Sequence, residues 1–129
     1  MSTPTHLQIT QIGQIGIPVQ NLERAVTFYR DILGLPLLFQ VPNLAFFQCN
    51  GIRLMLSLPE GAGTPTKASI IYYQVDDLQA AYATLQPHAV KLLDMPHMIA
   101  KMEDHDLWMF FMEDSEGNMI GVMSEVRGT

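Results

Sequence analysis

Twice along this chain, apolar and polar residues alternate and then switch to helical spacing. The first alternation sets Ile15, Ile17 and Val19 against Gln14, Gly16 and Pro18. A two-residue period predicts a strand with one buried face. From Leu22 onward, Leu22, Ala25, Val26, Tyr29, Ile32 and Leu33 fall at i, i+3, i+4 and i+7, which predicts a helix. Asn21 is a natural N-cap and Gly34 a natural C′ residue. The pattern then returns. Ile71, Tyr73 and Val75 alternate with Ile70, Tyr72 and Gln74, and Leu78, Ala81, Tyr82 and Leu85 form a second helical stripe. Asp76 or Asp77 caps that helix and Pro87 stops it. Residues 15–22 and 71–78 match at a constant offset of 56.

Each helix precedes a run of short apolar segments. After Gly34 these are about 37–41, 44–49 and 52–58, broken at Pro42-Asn43 and Asn50-Gly51, a strong hairpin signal. After Pro87 they are about 89–93, 97–102, 107–112 and 118–123, with turns at Asp104-His105 and Ser115-Glu116-Gly117. The expected architecture is α+β: module one at about 9–58, a linker at about 59–66 containing Gly61-Ala62-Gly63-Thr64-Pro65, and module two at about 67–126. The competing reading is an unrelated α+β domain with a chance internal echo.

Composition narrows the function. A chain of 129 residues is one domain's worth and buries roughly two thirds of its unfolded surface. Seven Lys and Arg against thirteen Asp and Glu give a net charge of −6, which disfavours nucleic acid as a partner. Cys49 stands alone, so no internal disulfide framework or cysteine-rich zinc module forms. The opening MSTPTHLQ has no basic patch followed by an apolar run, and no stretch approaches the ~20 apolar residues of a membrane span. The expected compartment is the cytoplasm. Nine Met are present, seven of them between Met95 and Met123.

The opening QIGIPVQNLERAVTFYRDILGL and the closing WMFFMEDSEGNMIGVMSE resemble the vicinal oxygen chelate superfamily, which contains glyoxalase I, bleomycin-resistance proteins, extradiol dioxygenases and methylmalonyl-CoA epimerase. Asp114-Ser115-Glu116-Gly117-Asn118 is similar to that family's closing turn. The resemblance runs from about residue 9 to 126. It implies two βαβββ modules folded into a U-shaped cup, a ligand on the concave face, a divalent metal in the enzymes, and pairing as a homodimer.

The resemblance also implies four metal-ligand positions, which fall here on Gln14, Met55, Ile70 and Gly121. Hard divalent cations need oxygen or imidazole donors. Isoleucine and glycine side chains offer none, a thioether is a poor donor, and Gln14 alone has a carbonyl oxygen. A one-residue shift would bring Arg53 or Leu54 to the second position, and neither is a ligand. The expectation is that the usual metal site is absent and that no cofactor is required.

Alternation then assigns the cup lining. The opening strand leaves Gln14 to the cup, the Arg53 strand leaves Arg53 and Met55, and the Ile70 strand leaves Tyr72 and Gln74. Pairing Glu103 with Asp106 across the Asp104-His105 turn puts His97, Ile99, Lys101, Trp108, Phe110 and Met112 on the cup face. Met98, Ala100, Met102, Leu107, Met109 and Phe111 then lie under a helix. Met119, Gly121 and Met123 join the cup. The result is an apolar, aromatic pocket with a few polar groups, in which Trp108 stacks on a ligand and Arg53 or Lys101 meets an anion. The alternative is that these residues fill a closed core or a dimer seam, the better reading for Met112, Met119 and Met123.

Among the histidines, His97 faces the cup and is the one candidate general base, although a backbone hydrogen bond explains it as well. His105 is expected to be solvated in its turn, His88 follows the helix-ending proline, and His6 lies in the tail. Asp104-His105-Asp106 is a weak chelating cluster at most. Cys49 reads as a small buried residue. Gly61-Ala62-Gly63-Thr64 lacks the lysine and the helix of a phosphate loop. The expected function is metal-free binding of a small organic molecule, as in the family's resistance members. The alternatives are a glyoxalase-type lyase, isomerase or dioxygenase with metal-free or relocated chemistry, and a structural or regulatory homodimer without ligand.

Overall fold

The computed structural model describes residues 6–59 and 68–127. The expected linker motif, 61–65, and the first five residues of the tail lie outside the described residues. Module one contains β1 (Gln14–Pro18), α1 (Leu22–Thr27), β2 (Leu37–Val41), β3 (Leu44–Cys49) and β4 (Ile52–Ser57). Module two contains β5 (Ile71–Gln74), α2 (Leu78–Leu85), β6 (Lys91–Leu92), β7 (His97–Lys101), β8 (Asp106–Glu113) and β9 (Met119–Val126). Sheet one has the order β1-β4-β3-β2, and sheet two has the order β5-β9-β8-β6 with β7 also paired to β8.

The internal repeat is visible in the pairing. β1 runs parallel to β4 with Gly16 opposite Met55. β5 runs parallel to β9 with Tyr72 opposite Gly121. Gly16 and Tyr72 stand 56 residues apart, the offset of the sequence echo. The fold is therefore α+β with two tandem modules.

Turn chemistry sets the boundaries. Asn50 and Gly51 both take positive φ, +47° and +88°, as a two-residue hairpin between twisted strands requires. The Asn21 side chain accepts from the Arg24 N–H at 3.0 Å, and Asp77 does the same for Ala80. α1 does not stay α-helical to its end. It runs on through one π-helical turn, Phe28–Ile32, in which the Leu33 N–H donates to the Phe28 carbonyl. Gly34, at φ +75°, then lets the Leu35 N–H reach the Tyr29 carbonyl at 3.0 Å.

Both sheets turn one face to a shared core. Ile17, Ala45, Phe47, Leu54 and Leu56 enter it from sheet one, and Phe110, Met112, Ile120 and Val122 from sheet two. Each helix packs on its own sheet through an aromatic pair: Tyr29 with Phe47, and Tyr82 edge-on to Phe110. The expected strand at 89–93 shortens to two residues. Beyond it the ladder is carried by the Leu93 N–H to the Phe111 carbonyl, and by the Asp94 carboxylate, which accepts the Phe111 N–H at 2.6 Å.

The faces of β8 are the reverse of the expectation. The observed register places Lys101 opposite Asp106, Ala100 opposite Leu107, Met98 opposite Trp108 and His97 opposite Met109, with an irregularity between Met98 and Ala100. Phe110 and Met112 are 0% and 1% exposed in the core, and Trp108 packs against that core. Lys101 shares their face through its pairing with Asp106. The outward face instead carries Met109 and Phe111. The physical reason is that both faces of β8 are apolar, so alternation alone cannot choose between them. Pairing with β9 decides the matter, because Met112 lies opposite buried Ile120 and Phe111 opposite Gly121.

Candidate functional site: two outward walls

Each module presents one outward sheet face. On sheet one, β1 and β4 bring Gln14, Arg53 and Met55 together as the alternation predicts. The Arg53 Nε donates to the Gln14 Oε1 at 3.1 Å, and the Gln14 Nε2 donates to the Met55 Sδ at 3.6 Å. The Arg53 guanidinium also lies 5.6 Å from the centroid of the Phe46 ring, a cation–π arrangement. Phe46 in turn stacks on Phe39, with centroids 4.5 Å apart and planes 25° apart. The Phe39/Phe46 pair was missed in the sequence. The β2–β3 register that creates it was legible in the Pro42-Asn43 turn, since Phe39 pairs with Phe46 and each stands three positions from the turn.

Sheet two presents Tyr72 and Gln74 from β5, Phe111 from β8, and Gly121 and Met123 from β9. Tyr72 is 45% exposed and meets Phe111 edge-on at 5.9 Å. Its ring lies directly over Gly121. A Cβ placed there would stand 2.5 Å from the Tyr72 Cδ2. Among the described residues, no hydrogen bond, ion pair or ring contact joins this wall to the Gln14–Arg53–Met55 wall.

His97 is on the outward face of β7, and its Nδ1 pairs with the Met95 carbonyl oxygen at 2.7 Å. The Asp94 carboxylate stands 3.7 Å from the same nitrogen. Lys101, Trp108 and Phe110, expected beside it, belong to the opposite face. His105 is not solvated as expected. Its side chain is 14% exposed, with Nδ1 at 2.7 Å from Asp104 and Nε2 at 3.9 Å from Glu125. Hydrogen bonds from Arg127 and His105 hold the Asp104 carboxyl at about 2, below the usual range.

The positions implied for a metal have the following surroundings. The Gln14 amide is engaged by Arg53 and Met55, and Ile70 is an exposed aliphatic side chain. Gly121 is covered by a tyrosine ring. Among the described residues, no three His, Cys, Asp or Glu side chains converge as a metal site. No helix among those residues is long and apolar enough to cross a membrane.

Comparison with known proteins places this geometry. The chain superposes on a glyoxalase/bleomycin resistance protein/dioxygenase superfamily member from Sphaerobacter thermophilus with a TM-score of 0.75 and 24% identity, over 92% of this chain and 100% of that one. A lactoylglutathione lyase from Agrobacterium tumefaciens gives 0.73 and 18%, over 92% and 96%. A glyoxalase-related enzyme from Fulvimarina pelagi gives 0.74 and 18%, over 90% and 88%. At these identities the likeness establishes the fold. The family model matches residues 11–122, both modules together. This chain belongs to the Glyoxalase/Bleomycin resistance protein/Dioxygenase superfamily.

Proposed function

We propose that this chain binds a small organic molecule on its outward walls without a divalent metal, as a cytoplasmic homodimer. The observation that carries the reading is the replacement of donor groups by packing groups. Where a metal would need oxygen or nitrogen ligands, a tyrosine ring lies on a glycine and a glutamine amide is tied to a thioether and a guanidinium. The exposed lining suits a flat ligand carrying an acid. Phe39 and Phe46 offer stacked aromatic surface, and Arg53, held at Nε by Gln14, presents a planar fork to a carboxylate. Exposed apolar side chains on the outward faces, among them Phe39, Tyr72 and Met119, support burial against a second copy.

The test is a metal titration beside a ligand screen. Titration with nickel or zinc should show no tight stoichiometric site. A panel of aromatic carboxylates, beginning with benzoate and 1-naphthoate, should raise the melting temperature of the native chain but not of Arg53→Ala. Light scattering should give the mass of two chains. One tightly held divalent ion per chain, lost together with activity on chelation, would overturn the metal-free reading.

A further inference from the structure

One row of side chains crosses the outward face of sheet two from β7 to β9. His97 lies directly opposite Met109, and Met109 lies directly opposite Met123. Residues directly opposite in antiparallel strands share a face, with Cβ atoms about 4.5–5.5 Å apart. His97 and Met123 therefore flank Met109 across two strand spacings, about 10 Å in all. Long side chains from the two ends of such a row can meet above its middle member. None of the three is shut into the core. The two methionines are half-buried, and the His97 side chain is 48% exposed.

His97 is oriented to give a lone pair. Its Nδ1 stands 2.7 Å from the Met95 carbonyl oxygen, which only accepts, so Nδ1 carries the proton. The lone pair of the neutral ring then lies on Nε2. Among the described residues, no hydrogen bond or ion pair engages Nε2. A backbone carbonyl on the far nitrogen is how proteins fix the tautomer and direction of a metal-bound imidazole. Asp94 adds to this support. One of its oxygens stands 3.7 Å from Nδ1, and the other accepts the Phe111 N–H of β8 at 2.6 Å. The sulfurs of Met109 and Met123 are also unspent among the described residues, unlike that of Met55, which takes the Gln14 amide.

One imidazole and two thioethers make a soft donor set. Such ligands suit copper(I), whereas magnesium, calcium and manganese prefer oxygen. No carboxylate belongs to the row. Glu125, in the adjoining row opposite Leu107, is paired with Arg127 at 3.1 Å. We infer that His97, Met109 and Met123 form a binding site for a soft monovalent cation of the copper(I) and silver(I) class, held through Nε2 and two sulfurs. The site uses none of the four positions implied for a divalent metal, and it does not depend on carboxylate binding at Arg53.

Silver(I) is the probe, since it shares the donor preference of copper(I) without its oxidation in air. The chain, labelled with 13C at the methionine methyls and with 15N, is titrated with silver nitrate in chloride-free buffer and followed by NMR. Up to two equivalents should move the Met109 and Met123 methyl signals and the His97 Nε2 signal, and leave those of exposed Met95, Met98 and Met102 in place. Zinc and nickel should move none of them. Cys49, the one thiol in the chain, is the competing soft ligand, and Cys49→Ala should keep the methionine shifts intact. Met109→Leu, which nearly conserves volume, and His97→Gln should each weaken silver at this row. Losing a ligand should cost at least the roughly 10–100-fold that losing an outer-shell partner costs. Arg53→Ala should change nothing here, which separates this site from the carboxylate reading. Should a variant fail to fold, the shift pattern of the native chain decides alone. Met109 and Met123 signals that never move, shifts spread evenly over the exposed methionines, or undiminished silver binding in Met109→Leu and His97→Gln overturn the proposal.

Discussion

The junction between the modules and the outward walls are built from similar residue types to opposite ends. At the junction, acids are saturated with donors. Asp114 accepts from the Tyr29 hydroxyl at 2.7 Å, from the Glu116 and Asn118 N–H groups, and from the Asn118 side chain. Glu116, its side chain 1% exposed, accepts from the Gln20 and Asn21 N–H groups, from Arg24 at two nitrogens, and from Ser115. The closing turn of module two thereby clasps the start of α1 in module one. On the walls, Gln14, Arg53 and Tyr72 are exposed and make few contacts. Saturated polar groups specify one arrangement of the modules, and exposed ones remain available to a ligand.

The comparison breaks most sharply at Asp114. Asp114→Ala orphans the buried Tyr29 hydroxyl and two backbone N–H groups at once. Each orphaned donor costs about 1–3 kcal/mol, so the expected loss in urea unfolding is about 3–4 kcal/mol. Tyr29→Phe, which removes one bond and leaves the acid its other donors, should cost about 1 kcal/mol. Equal losses for the two variants would show that the turn's own bonds contribute little.

Glu116 gives the next effect, and it depends on pH. Burial alone would raise its carboxyl, but hydrogen bonds from Arg24, Asn21, Gln20 and Ser115 outweigh burial and hold it at about 2, against an ordinary 4.5. A carboxyl depressed by folding stabilises above its unfolded value, and the gain disappears as pH falls through the folded one. The contribution is therefore full above about pH 4.5 and lost towards pH 2, worth about 2–3 kcal/mol. Glu116→Gln should cost about 1–2 kcal/mol at pH 7 and flatten the acid limb of the stability profile. An unchanged acid limb would place the linkage on another carboxylate.

How much of this was legible follows from what each feature depends on. β2 and β3 were read with their observed ends because Pro42-Asn43 and Asn50-Gly51 are local signals. The Asn21 cap was legible for the same reason, and the second cap was narrowed to Asp76 or Asp77, of which Asp77 is the one that caps. The junction was not, because its bonds join residues 85 to 96 apart in sequence. Glu116 looked like an ordinary turn residue, and no local pattern connects it to Arg24. Gln14, Arg53, Met55, Tyr72 and Gln74 lie on the sheet face that alternation gave them, because their strands have one apolar and one mixed face. Trp108, Phe110 and Lys101 were misplaced because β8 is apolar on both.

The smallest effect, and the one that sharpens the contrast most, belongs to Gly121. A methyl at this position would stand 2.5 Å from the Tyr72 Cδ2 and 2.7 Å from Cε2. In a core, such a contact would force strain of about 1–3 kcal/mol. Tyr72, however, is 45% exposed, and its ring can swing outward, giving up its edge-on contact with Phe111. Gly121→Ala should therefore cost only about 1 kcal/mol, near the value of the aromatic pair itself. In Tyr72→Ala, where the obstructing ring is gone, the added methyl should be nearly neutral, a non-additivity of about 1 kcal/mol in the double-mutant cycle. Additive effects would mean that the ring does not rest on the glycine. Together, a small stability cost and a displaced ring would identify Gly121 as the seat that holds Tyr72 in the wall rather than as a support of the fold.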